Sequence, residues 1–137
     1  MSVLITGTYQ GNKRIELCHM ESGTKIFTDA PKDNQGNGDS FSPTDLVAAA
    51  LGACMMTIMG IMADRDGIDL TGMSMQVEKH MSDSSPRRIA SLPLIIRMPQ
   101  GLTAEQRTKL ERGAATCPVH HSLHPEIKTE IQFLYDV

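Results

Sequence analysis

The chain has 137 residues, of which 40% are hydrophobic, only 4% are aromatic and none is tryptophan, and its formal net charge is −3. That length suits one domain with a core of its own, so residues 1–137 are expected to fold as a single domain without disulfide staples. The acidic balance, with no basic cluster longer than Arg87-Arg88, argues against nucleic acid as a partner. Three cysteines, an odd number, do not suggest the closed framework of a small secreted domain. No charged n-region followed by an apolar h-region opens the chain, and the cytoplasm is the expected compartment.

Residues 3–9, 14–20 and 25–28 alternate or carry β-branched side chains and are separated by turn residues, Gln10-Gly11-Asn12 and Ser22-Gly23. They read as a three-stranded antiparallel meander. A Gly/Asn/Asp-rich loop follows over 30–42, long for a compact domain and therefore either mobile or functional. Ser42-Pro43 then opens a helix with serine at the N-cap, proline at N1 and Asp45 three residues beyond the cap. It is expected to run to about Arg65, with Gly67 as its left-handed stop. Strands are expected at 70–81 and 87–98, separated by the turn Asp83-Ser84-Ser85-Pro86. Thr103 and Gln106 form a capping box for a second helix ending near Thr116. A short helix over 118–123 and an alternating strand over 127–133 complete the chain.

Residues 46–62 carry no charge, a length near the lower limit for a membrane span. With Thr57 and two glycines in an otherwise polar chain, they read as a central helix surrounded by protein, with no membrane partner. The order βββ-α-ββ-αα-β describes an α+β domain. A domain this small struggles to cover so apolar a helix on every side, which predicts a two-fold homodimer. Ten methionines give the interior flexible thioether filling.

Two cysteines lie in contrasting settings. Cys54 sits within the apolar helical run, where a thiol is shielded from water and needs a cation to become reactive. Arg14, Lys13 and Arg97 are the candidates. Cys117 precedes Pro118 at the start of the short helix, where free backbone N–H groups favour an anion. The plain reading of both is packing or capping. Cys18, on an amphipathic strand, has neither feature. Cys117, His120, His121 and His124 together follow a C-x2-H-H-x2-H pattern that offers zinc several donors on one side of a short helix. Against a metal stand Leu123, Pro125 and the lack of a second ligand pair; the plain reading is solvated histidines. No phosphate loop and no Gly-x-Ser-x-Gly elbow is present.

The segment 42–54, SPTDLVAAALGAC, resembles the first signature of the OsmC/Ohr family (osmotically inducible protein C and organic hydroperoxide resistance proteins), and Cys117-Pro118-Val119 resembles the second. The resemblance covers nearly the whole chain and implies an intertwined homodimer, with central helices wrapped by antiparallel sheets. It further implies a thiol peroxidase acting on organic hydroperoxides without a cofactor or metal. Cys54 would attack the peroxide, Cys117 would resolve the sulfenic acid as a disulfide, and an external dithiol would reduce it. Arg14 would correspond to the activating arginine. Hydroperoxide-resistance members carry a glutamate directly after the signature proline; here Thr44 holds that place and Asp45 the next, which aligns the chain with the OsmC-like branch. The alternative function is a non-enzymatic module that binds a small hydrophobic ligand or senses redox state.

Overall fold

The computed structural model describes residues 1–136. Internal packing groups them into two compact units, one reaching Leu46 and one beginning at Val47.

In the first unit β1 (Ile5–Tyr9), β2 (Ile15–His19) and β3 (Thr24–Thr28) form an antiparallel sheet with β2 in the middle. Ile5 faces His19 and Tyr9 faces Ile15 across the first hairpin. Its turn passes through Gly11, Asn12 and Lys13, all in the left-handed region. The loop after β3 contains one 3-10 turn, Lys32–Asn34, where irregular chain was expected throughout. The unit ends in the start of α1 (Pro43–Asp66). The reciprocal cap is formed: the Asp45 N–H donates to Ser42 Oγ at 3.1 Å and the Ser42 N–H donates to Asp45 Oδ2 at 2.9 Å. Aspartate thus takes the place that glutamate or glutamine usually fills in a capping box.

The second unit holds the rest of α1, then β4 (Ser74–Val77), β5 (His80–Met81), β6 (Ile89–Ser91), β7 (Leu94–Met98), α2 (Ala104–Ala114), α3 (Pro118–Ser122) and β8 (Ile131–Tyr135). The α+β class follows the expectation, but the two strands expected at 70–81 and 87–98 each divide in two, and strand boundaries move for identifiable reasons. The first predicted strand starts late because the chain turns at 70–73, where the Met73 N–H donates to the Leu70 carbonyl. The second is interrupted at Pro93, which has no N–H to give to a ladder. The last is displaced from 127–133 to Ile131–Tyr135, because the His124-Pro125 turn takes up its start. That strand also adds to β7 in parallel, while β4 pairs with β7 antiparallel, so the sheet is mixed rather than purely antiparallel.

The core lies in this second unit. Ala48, Leu51, Met55, Met59 and Ala63 form one buried stripe along α1, at helical spacing, against Leu92, Leu94, Ile96, Met98 and Leu110. Gly52 lets the sheet approach, since a β-carbon there would stand 2.7 Å from Met75 Cε. The capping box of α2 is complete, with the Gln106 N–H on Thr103 Oγ1 and the Thr103 N–H on Gln106 Oε1. α1 is long and apolar enough to cross a membrane by length and composition, yet its central stripe is packed inside protein. Its outer face carries Ala50, Ala53, Thr57 and Ile61, all exposed and uncharged.

Candidate functional site: a buried dithiol and an anchored arginine

In the second unit α1 and α2 run antiparallel. Lys109 Nζ lies 2.6 Å from Asp66 Oδ2 at one end. One turn further on, Gly113 lies so close to Met62 that a β-carbon would stand 1.9 Å from its sulfur. Continuing in that register, α2 ends at Ala114 and the chain turns through Thr116 to reach Cys117, opposite Cys54. Sixty-odd residues of intervening chain are thereby folded away, and the two thiols come near enough to influence one another. All three cysteines are free thiols.

The two environments are the reverse of what the sequence suggested. Cys54, expected to be the shielded one, is half-buried, whereas Cys117, placed at a helix start, is 0% exposed. The cap itself is present: the His120 N–H donates to Cys117 Sγ at 3.4 Å, and this contact favours a thiolate. Burial outweighs it. Removal from water, reinforced by the neighbouring Cys54 side chain, pushes the Cys117 thiol above its ordinary range. A single turn of helix supplies too little field to offset full desolvation. Burial thus favours the thiol form of Cys117.

Arg14 belongs to the first unit, directly after the left-handed turn that opens β2. The backbone bond from the Arg14 N–H to the Gly11 carbonyl (3.1 Å) sets its position. Its Nη2 lies 3.2 Å from Asp39 Oδ2, with both side chains about half exposed (44% and 52%). The Asp45 carboxylate accepts the Ser42 N–H, and the acid opposite Arg14 comes from the preceding loop. That loop is held by Asp29, only 2% exposed, whose two carboxylate oxygens accept the Ala30 N–H (2.8 Å) and the Asp39 N–H (3.1 Å). The Asp39 N–H is the chief reason the Asp29 carboxyl sits below the usual range. Burial opposes the shift, and the Ala30 N–H and Arg14 charge add to it. Gln10, Asn12, Arg14, Asp29, Asn37 and Asp39 line a polar cavity of about 380 Å³.

Asp29 and Asp39 were missed by the sequence reading. The signal available was the density of Asp and Asn in the loop, residue types that bond to nearby backbone N–H groups. Among the other candidate cations, Arg97 is exposed on the face of β7 opposite Leu94, Ile96 and Met98. Lys13 lies in the first-unit turn, where its N–H donates to the Tyr9 hydroxyl. Cys18 sits on β2 between Thr6 and Lys25. The histidines do not converge. His120 Nε2 pairs with Thr129 Oγ1 at 3.0 Å, His124 Nδ1 accepts the Glu126 N–H, and His121 meets His120 edge to face. Among the described residues no group of three His, Cys, Asp or Glu side chains is placed to hold a metal ion.

A solved structure from Psychrobacter arcticus 273-4, named for an osmotic stress and detoxification response, shares 40% identity with this chain. It superposes with a TM-score of 0.91, covering 98% of this chain and 97% of that one. An OsmC-like protein of Mycoplasma pneumoniae (16% identity, TM-score 0.81, 98% and 97% covered) has the same fold. So does an organic hydroperoxide resistance protein OsmC of Legionella pneumophila (19% identity, TM-score 0.70, 97% and 96% covered). The chain matches none of the curated proteins compared with it. The family model described as OsmC-like protein matches residues 36–132, a span that holds both Cys54 and Cys117. By this match and by its fold, the chain belongs to the OsmC-like protein family.

Proposed function

We propose that the protein is a cysteine-based peroxidase of the cytoplasm that reduces organic hydroperoxides, its 137 residues working as one domain within a homodimer. The observation that carries this reading is the juxtaposition of a half-buried Cys54 with a fully buried Cys117, two thiols brought together from opposite halves of the chain. The Cys54 thiolate attacks the hydroperoxide, breaking its O–O bond. The alkoxide leaves as the alcohol after taking a proton, and Cys54 becomes a sulfenic acid. The sulfur of Cys117 then attacks that of Cys54. A disulfide forms, and the sulfenic oxygen leaves as water with the Cys117 proton. An external dithiol returns both residues to thiols. Arg14, oriented by Asp39, is assigned as the cation that stabilises the attacking thiolate and polarises the peroxide.

Organic rather than hydrogen peroxide is the substrate, because Cys54 packs against a cluster rich in methionine and aliphatic side chains. The homodimer is supported by the uncharged outer face of α1 and by the exposed Ile5, Tyr9, Ile26 and Phe27 of the first sheet, apolar surface that a second copy would cover. Stopped-flow measurement with an alkyl hydroperoxide tests the reading. Cys54→Ser is expected to abolish turnover. Cys117→Ser is expected to consume one equivalent and stall as the sulfenic acid. Undiminished consumption by Cys54→Ser protein would overturn the assignment.

A further inference from the structure

Among the described residues two buried side-chain polar atoms have no hydrogen-bond partner, Arg107 Nε and His120 Nδ1. Arg107 is accounted for by packing, since its guanidinium lies 4.4 Å over the Tyr135 ring and takes the negative face of that ring in place of an acceptor. His120 has no such substitute. Its Nε2 is paired with Thr129 Oγ1 at 3.0 Å, and its ring meets His121 edge to face with 6.0 Å between centroids. Among the described residues no carboxylate pairs with it. A buried polar atom left unpaired is costly, so a use elsewhere is the natural account of Nδ1. The helix start sets the ring beside a thiol. Cys117 is the N-cap of α3 and His120 its N3 residue, whose backbone N–H donates to Cys117 Sγ at 3.4 Å. Side chains at N3 lean back toward the N-cap, which is how the glutamate of a capping box reaches its partner.

We infer that His120 is the proton acceptor for Cys117 in the resolving step; the inference rests on the peroxidase reading and names a base which that reading leaves unassigned. Cys117 is 0% exposed, so when its sulfur attacks the Cys54 sulfenic acid no bulk water stands ready for the proton. With Nε2 donating its hydrogen to Thr129 Oγ1, the imidazole is in the tautomer that leaves the Nδ1 lone pair free. Nδ1 takes the Cys117 proton as the S–S bond forms. The S–O bond of the sulfenic acid breaks, and the departing hydroxide recovers that proton from Nδ1 and leaves as water. The imidazole ends neutral, as it began, and the step consumes no external acid or base. The competing route hands the proton straight from Cys117 to the sulfenic oxygen, with the imidazole idle. Two features favour the relay. Nδ1 is unpaired in the resting protein, so it accepts without first breaking a bond, and imidazole is the side chain suited to exchanging a proton near neutral pH. Of the titratable groups around it, Cys117 and His121 come from α3 and Cys54 from α1. The segment before β8 presents the half-buried Thr129 and keeps Lys128 and Glu130 exposed.

The test is rapid-quench kinetics of the reduced, full-length protein with cumene hydroperoxide, read by intact mass. The sulfenic acid adds one oxygen and the disulfide removes two hydrogens, so the two steps are timed separately. His120→Gln keeps the backbone N–H on Cys117 and an amide able to bond Thr129, but has no basic nitrogen. It is expected to slow disulfide formation relative to peroxide attack about a hundredfold at neutral pH. Wild-type disulfide formation is expected to slow on acidification as the imidazole takes up a proton from solution, and His120→Gln is expected to lack that limb. A merely structural histidine would leave the pH profile in place. Thr129→Val, which removes the acceptor of Nε2–H, is a second variant, expected to slow disulfide formation several-fold and retain the acidic limb. Long-range proton–nitrogen NMR of the reduced protein, which needs no peroxide, is expected to show the imidazole hydrogen on Nε2. A hydrogen on Nδ1, or His120→Gln protein that forms the disulfide as fast as wild type with the same pH dependence, would overturn the His120 assignment alone. Wild-type protein that consumes no peroxide, or consumes it without forming the disulfide, would overturn the peroxidase reading and this assignment with it.

Discussion

If Cys117 resolves Cys54, one equivalent of alkyl hydroperoxide should staple α1 to the start of α3 and change the stability of the fold by a calculable amount. The bond closes a loop of about 64 residues, and the loss of loop entropy from the unfolded chain corresponds to about 4 kcal/mol at 25 °C. For a chain of 137 residues the unfolding entropy near the midpoint is roughly 0.3 kcal/mol/K, so the oxidised protein should melt on the order of 10–15 °C above the reduced one. The thiols already lie near one another, which limits the rearrangement needed to join them. Differential scanning calorimetry with intact-mass analysis reads the outcome, since the disulfide removes two hydrogens whereas a stalled sulfenic acid adds one oxygen. Neither Cys54→Ser nor Cys117→Ser should gain stability on oxidation, while Cys18→Ser should behave as wild type. A shift that persists in Cys117→Ser, or oxidised protein with the added oxygen and no gain in melting temperature, would refute the resolving role.

Two further outcomes follow from the titratable groups. The Asp29 carboxyl is held below its ordinary range by the N–H groups it accepts, so it stabilises the 30–42 loop above pH ~4 and that contribution is lost as pH falls through its folded pKa. Protection of the Ala30 and Asp39 amides, corrected for the intrinsic exchange rate at each pH, should fall on acidification in the wild type, and in Asp29→Asn it should be low already at neutral pH with little further change. Tyr135 behaves in the opposite sense. Burial, and then the hydrogen bond it donates to Glu111 Oε2 at 2.6 Å, push its phenol well above the usual value, and the Arg107 guanidinium lies 4.4 Å over its ring. Its contribution is complete below pH ~10 and lost at higher pH, as the unfolded chain ionises first. Tyr135→Phe should cost about 1–2 kcal/mol at neutral pH in urea melts and flatten the alkaline limb of the stability profile.

Much of the architecture was legible locally. Ser42-Pro43 and Thr103 with Gln106 announce helix starts through caps that need only residues three apart, and both caps are formed. The meander of the first thirty residues is equally local, since each hairpin is decided by its own turn. Misplaced boundaries fell where the determinant was a single residue or a distant partner: Pro93 dividing one strand, and the parallel register of β8, which depends on β7 more than thirty residues earlier.

The candidate site divides in the same way. Cys54, Cys117 and Arg14 could be singled out from residue type and flanking sequence. Their environments could not, because burial depends on the whole fold. Helix-start chemistry made Cys117 the more anionic thiol on paper, and the packed core around it decided otherwise. Asp39 as the partner of Arg14 is set by a loop whose path Asp29 fixes, and no short-range pattern encodes that pairing. Sequence alone thus determined which groups are available and which helices and strands carry them, since those rest on local backbone preferences. Only the tertiary structure decided which thiol is withdrawn from water and set Asp39 against the arginine, because solvation and charge pairing act between residues far apart in the chain.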